Sequence, residues 1–188
     1  DAYYFSLKSG DSARLMTSDL TSKGTKSIPF TFESLGSMVS LGDSLIFAAD
    51  QGKGSELYSF SPNGKDTKPR LIKDLVVDGS SSPQELTVLG EQVFFSASDG
   101  KRRELYLFDG KNKSVSTVAG AHKINVPADP VNLTVVGNKL FFSAGEAEEV
   151  KKGKKTRKVY QRRYYMLDTE KPGKIHGFPF FDRHTNQK

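Results

Sequence analysis

The densest run of chemically active side chains is Glu146-Ala-Glu-Glu-Val-Lys-Lys-Gly-Lys-Lys-Thr-Arg-Lys-Val-Tyr-Gln-Arg-Arg163. Its basic residues are Lys151, Lys152, Lys154, Lys155, Arg157, Lys158, Arg162 and Arg163, with Tyr160 among them. A chain folded back at Lys152-Gly153 sets Glu148 and Glu149 roughly opposite Arg157 and Lys158, and Glu146 near Tyr160 to Arg162. Cross-strand pairs of opposite charge each contribute roughly 0.2–1 kcal/mol, so the run reads first as a solvated hairpin held by its own charges. Its excess of cations would also suit an anionic surface or a polysaccharide. Nucleic acid is disfavoured: base stacking needs exposed aromatic rings, and only Tyr160 lies inside the arm.

The other reactive residues are scattered. Asp50, Asp99 and Asp109 stand in Gly-containing turns, where a carboxylate bonds its own backbone. Calcium is the competing reading, but no stretch has the alternating Asp/Asn ligands of a calcium loop. His122, His176 and His184 are isolated in sequence, so no metal motif is expected. There is no cysteine, which removes disulfides, thiolate zinc sites and thiol catalysis. No Gly-x-Ser-x-Gly elbow and no phosphate loop occurs. No catalytic residue, cofactor or metal ligand is therefore assigned. Asn112-Lys-Ser114 and Asn132-Leu-Thr134 have the form of glycosylation sequons and are read as chance.

The elements that would position these residues come from a repeat. Leu86-Thr-Val-Leu-Gly90, Gln92-Val-Phe-Phe-Ser-Ala-Ser-Asp-Gly100 and Glu104-Leu-Tyr-Leu-Phe-Asp-Gly110 are three short apolar runs parted by turn residues. The pattern recurs upstream (Met38 to Leu41, Leu45 to Ala49, Glu56 to Phe60) and downstream (Leu133 to Val136, Leu140 to Ala144, Tyr164 to Leu167). Leu45 to Val93 is 48 positions and Val93 to Leu140 is 47. Such a period marks one supersecondary unit that cannot bury its apolar face alone. Seventeen Gly, eight Pro and an apolar set dominated by Phe, Val, Leu and Tyr favour strands. Four short strands per unit is a propeller blade. The fold expected is all-β: a β-propeller, or a segment of one, built of four-stranded antiparallel blades.

The units divide as a partial blade over 1–32, blades over 33–78 and 79–126, and a blade over 127–182 carrying the basic hairpin 146–163 as an insert. At the N-terminus, Tyr3 to Leu7 and Ala13 to Thr17 read as third and fourth strands. Ile28 to Phe32 carries Pro29 and reads as an edge or an irregular connection. That makes 14 strands, with an incomplete opening blade. Core packing between blades accounts for the recurring Phe47, Tyr58, Phe94, Phe95, Tyr106, Phe141, Phe142 and Tyr164.

Phe94-Phe-Ser-Ala-Ser-Asp-Gly100, Glu56-Leu-Tyr, Glu104-Leu-Tyr-Leu-Phe-Asp-Gly, Leu71-Ile-Lys-Asp-Leu75 and Gly79-Ser-Ser-Ser-Pro-Gln-Glu-Leu-Thr87 resemble the bacterial ELWxxDGT repeat over about Val39 to Phe142. The chain departs from it in having Tyr for Trp, and in losing Asp-Gly-Thr at Ser61-Pro-Asn-Gly64. The resemblance implies a propeller-like array in a secreted or surface-attached bacterial protein, and supplies no catalytic residue. The function expected is a non-catalytic protein-interaction or structural module in an extracytoplasmic setting, whether secreted, periplasmic or on the cell surface. Its partners would be other subunits or the rest of a larger chain. The alternatives are a carbohydrate-active propeller enzyme with paired carboxylates, or polyanion binding through the basic hairpin. A net charge of +6 suits the last of these. No apolar run approaches the roughly 20 residues that span a bilayer.

Overall fold

A computed structural model describes residues 2–63, 68–118, 128–152, 155–169 and 175–178. Those residues form strands and turns and no helix. The first sheet contains β1 (Tyr3–Ser9), β2 (Ser12–Ser18) and β3 (Lys26–Phe32). The second contains β4 (Ser34–Leu41), β5 (Ser44–Asp50), β6 (Ser55–Phe60) and β7 (Arg70–Lys73). The third contains β8 (Gln84–Leu89), β9 (Gln92–Ser98), β10 (Arg103–Asp109) and β11 (Ser114–Thr117). The fourth contains β12 (Ala128–Val136), β13 (Lys139–Lys152), β14 (Lys155–Asp168) and β15 (Ile175–Gly177). Strand order follows chain order in every sheet, and all pairings are antiparallel.

The N-terminal reading needs a correction. The segment Lys26–Phe32 is a true strand, paired to β2 with Ala13 opposite Phe32, so the described residues hold fifteen strands rather than fourteen. Pro29 is tolerated because β3 lies at the sheet edge and lacks only one donor there. What draws the segment into the sheet is burial. Ile28 and Phe32 enter the core, and the Phe32 ring meets Phe47 and Tyr58 edge-on at centroid distances of 5.7 and 5.4 Å.

Period-2 alternation gives each middle strand two faces, and the sheets stack through both. Leu15, Ile28 and Phe32 of the first sheet pack with Leu45, Phe47, Ala49, Tyr58 and Phe60 of the second. Ile46 and Leu57, on the second sheet's other face, pack with Val93, Phe95, Tyr106 and Phe108 of the third. Phe94 and Leu105 continue the series against Leu140, Phe142, Tyr165 and Leu167 of the fourth. Among the described residues, each of the three apolar layers joins consecutive sheets.

The hairpins between first and second strands repeat closely. Gly42, Gly90 and Gly137 open two-residue turns at φ 55°, 61° and 59°, and the same glycine geometry recurs at Gly10 with φ 60°. This is the left-handed region in which Gly avoids the Cβ clash.

Candidate functional site

The repeat's Glu-Leu-Tyr has a structural explanation. Glu56 lies opposite Ala49 on β6 and is buried. Its carboxylate accepts Leu75 N–H at 3.2 Å, Ser81 N–H at 2.8 Å and Ser81 Oγ–H at 2.5 Å. All three donors belong to the link that carries the chain from β7 to β8. One buried carboxylate thus satisfies two amides and a hydroxyl of the inter-blade crossing, beside the backbone bonds from Ser82 N–H to Ser55 O and from Ser98 N–H to Ser81 O. Glu104 holds the equivalent place opposite Ala97 and is also buried, with the Arg102 guanidinium on its Oε1. In the fourth sheet Arg163 stands there, opposite Ala144.

A second repeating device is an arginine one residue earlier. Arg103 Nη1 donates to Ser82 O at 2.9 Å and Ser96 O at 3.0 Å. Arg162 Nη1 donates to Asp129 O at 3.1 Å and Ser143 O at 3.3 Å, and its Nη2 reaches Asp129 Oδ2 at 3.1 Å. Ser82 and Asp129 both have positive φ, 45° and 59°. The guanidinium fork therefore clamps the entry of the first strand where its backbone is left-handed. Composition alone could not reveal either device, because each acts on backbone atoms far away in sequence.

The turn aspartates serve their own turns. Asp50 Oδ1 accepts Gly52 N–H (2.7 Å) and Gly54 N–H (3.0 Å). Asp99 Oδ1 accepts Lys101 and Arg102 N–H, both at 2.8 Å. Asp109 takes Lys111 and Asn112 N–H on Oδ1 and Asn112 Nδ2 on Oδ2. Backbone donation, from Arg102 and from Asn112 respectively, holds the Asp99 and Asp109 carboxyls below the usual carboxylate value. His176 is exposed on β15, while His122 and His184 lie outside the described residues.

The basic hairpin forms between the second and third strands of the fourth sheet. β13 and β14 stay in register from Lys139↔Asp168 out to Lys152↔Lys155. The register places Glu149 opposite Lys158, Glu148 opposite Val159, Val150 opposite Arg157, Lys151 opposite Thr156 and Ala147 opposite Tyr160. Glu146 stands opposite Gln161. Lys154 lies outside the described residues. Arg162 and Arg163 belong to the body of the sheet: the first clamps Asp129, and the second is half-buried. The arm itself is thus the paired segment from Glu146 to Tyr160.

The outer faces of the stack differ from the inner ones. Leu57 and Leu105 are 1 % and 2 % exposed, each covered by the following sheet, whereas Tyr164 at the same place in the fourth sheet is 66 % exposed. Phe141, equivalent to Ile46 and Phe94, is half-buried and stacks on Phe178 at 6.2 Å. At the opposite end Tyr3, Phe5 and Leu7 alternate along β1 and are all exposed.

No protein-family model and no curated protein matches the chain. Solved structures do. TolB from Acinetobacter baumannii matches over 93 % of this chain and 39 % of its own, at 16 % identity and a TM-score of 0.55. The tricorn protease matches over 94 % of this chain and 16 % of its own, at 16 % identity and a TM-score of 0.58. A prolyl endopeptidase matches over 94 % and 33 %, at 14 % identity and a TM-score of 0.52. The chain spans well under half of each of these proteins. At such identities the likeness is one of fold: this is an all-β chain of the β-propeller type.

Proposed function

We propose that the chain is a non-catalytic interaction or structural module of an extracytoplasmic bacterial protein, working inside a larger propeller or assembly. The carrying observation is the pair of open blade faces. Positions buried between inner blades are occupied at one end by Tyr164, 66 % exposed, and the other end presents Tyr3, Phe5 and Leu7. Contiguous exposed apolar surface at an otherwise repeating interface marks a contact with another protein element. A further blade, from a longer chain or another subunit, has the shape and chemistry to cover it. The resemblance to a secreted repeat supports the extracytoplasmic setting. The reading as a carbohydrate-active enzyme draws less support, because the buried Glu56 and Glu104 belong to blade packing.

The test is the intact mass and association state of the native protein, by mass spectrometry with light scattering, beside a Tyr164→Glu variant. A larger chain or a tight complex is expected, with the variant weakening any association between chains. A stable 20.7 kDa monomer whose open faces bind no apolar dye would overturn the reading.

A second reading is favoured by the register of the arm. Lys151, Lys152, Lys155, Arg157 and Lys158 all fall on the segment that extends past the rest of the sheet, suiting a polyanion. Elution from a heparin column should then require rising salt, and neutralising Lys155, Arg157 and Lys158 should abolish retention.

A further inference from the structure

We propose that the open face of the first sheet is covered, in the native assembly, by a further blade that brings a carboxylate to Arg14. This rests on the proposed place of the chain in a larger propeller, and it names what the covering blade must carry.

The first sheet follows the repeat. Leu15 on β2 faces the second sheet, as Leu57 and Leu105 face the sheets that follow them. Asp19 stands as far beyond Leu15 as Asp109 beyond Leu105, and each accepts the amide two residues ahead, at 2.9 and 2.8 Å. β1 and β2 therefore hold the places of second and third strands in a blade. The cross-strand pair Phe5↔Met16 then stands where the other sheets have Phe47↔Tyr58, Phe95↔Tyr106 and Phe142↔Tyr165. Those three pairs are stacked and buried against the preceding sheet. Phe5 is 41 % exposed instead, with Tyr3 and Leu7 exposed beside it.

Arg14 lies on the same face, opposite Leu7 and Thr31. The second and third sheets have Glu56 and Glu104 at this place, both buried, and the fourth has Arg163, half-buried. It is thus a position that a covering sheet takes out of water. Arg14 is exposed and has no hydrogen-bond or ion-pair partner among the described residues. Its neighbours across and along the strands, Leu7, Thr31, Ser12 and Met16, carry no charge.

A sheet laid on this face strips water from a lone guanidinium among apolar side chains. An unpaired buried charge is strongly destabilising. A carboxylate on the covering sheet removes that penalty, and the planar guanidinium fork can grip it through two N–H donors. The rest of the face continues the three apolar layers already formed between consecutive sheets, so the occupant is a further blade. Toward Arg14 it presents aliphatic or aromatic residues and one Asp or Glu.

The experiment uses the native assembly with Arg14 changed in the whole protein. The Arg14→Lys variant, treated with a water-soluble carbodiimide, should form an amide between the new amine and the partner's Asp or Glu, the lost water going to the carbodiimide. Peptide mass spectrometry reads that cross-link, and the Arg14→Met variant should lack it. Arg14→Met should also weaken docking of the face by about tenfold or more, because it leaves the partner's carboxylate buried and unpaired. Light scattering reads this for a separate subunit, and the urea midpoint reads it for a longer chain. Lys23→Gln, on the same sheet but off the face, should change nothing. Phenylglyoxal should label Arg14 more slowly in the native assembly than in urea. Protection of Arg14 with no cross-link, or with Arg14→Met docking as well as the parent, overturns the carboxylate and leaves the larger propeller standing. Arg14 as reactive in the native protein as in urea overturns the inference, and the mass and dye measurements above then decide separately whether the face is covered at all.

Discussion

Replacing Glu56 by Ala should be among the most damaging single substitutions on this chain, and its cost can be worked from three hydrogen bonds. The carboxylate accepts Ser81 N–H, Ser81 Oγ–H and Leu75 N–H. Ser81 is fully buried, so its amide has no water to turn to once the acceptor is gone. An orphaned buried donor costs about 1–3 kcal/mol. The hydroxyl can rotate to Ser55 O, 3.4 Å away, and recover part of its loss. Leu75 is half-buried and can reach solvent. The sum is a destabilisation of about 3 kcal/mol, a large share of the roughly 5–15 kcal/mol that holds a domain folded. Glu56→Gln should cost less, about 1–2 kcal/mol, because an amide oxygen still accepts Ser81 N–H while its NH₂ opposes the other donors. Urea denaturation measures both, and amide hydrogen exchange at Ser81 locates the damage in the link. If Glu56→Ala unfolds within about 0.5 kcal/mol of the parent protein, the threshold typical of neutral surface changes, and Ser81 stays protected, the carboxylate does not hold the crossing.

Three further outcomes follow from the geometry. Gly90→Ala meets open space but must adopt φ 61°, so it should cost about 1 kcal/mol in thermal or urea unfolding with no change in the core. Arg103→Lys keeps the charge but loses the fork that spans Ser82 O and Ser96 O, and should cost about 1–2 kcal/mol, with faster hydrogen exchange at the entry to β8. Burial, reinforced by Glu56 and Glu104 respectively, raises the Tyr58 and Tyr106 hydroxyls above 10.0. The folded state therefore holds these protons to higher pH than the unfolded chain. Their contribution is complete below pH 10 and is lost as pH rises through the folded values, which ultraviolet titration beside alkaline unfolding would record.

The middle strands of each blade were legible in the sequence because burial on both faces leaves unbroken apolar runs, as at Val93 to Ala97, bounded by hairpin glycines. Chemistry that crosses between blades was not. The sequence shows Glu56 as one letter of a repeat, while its donors lie 19 and 25 residues on, in a link with no periodicity to read. Pro29 argued against β3 locally, and the aromatic contacts of Phe32 outweighed it. The basic hairpin was legible as a charge run with a glycine tip. Its division was not, since Arg162 works for the sheet through a carbonyl 33 residues away.

The length of β13 and β14 separates two electrical environments. Strand β12 leaves β13 at Gly145, and the ribbon continues for seven more residues to Lys152. At about 3.3 Å per residue that is a reach of about 23 Å. At physiological ionic strength, fields between exposed charges fade over about 8 Å. The positions that the register sets at the end of the ribbon are therefore separated from the last β12 pairing by more than two screening lengths of strand. The ribbon could be recharged, lengthened or removed in evolution without altering how the stacked sheets respond to salt.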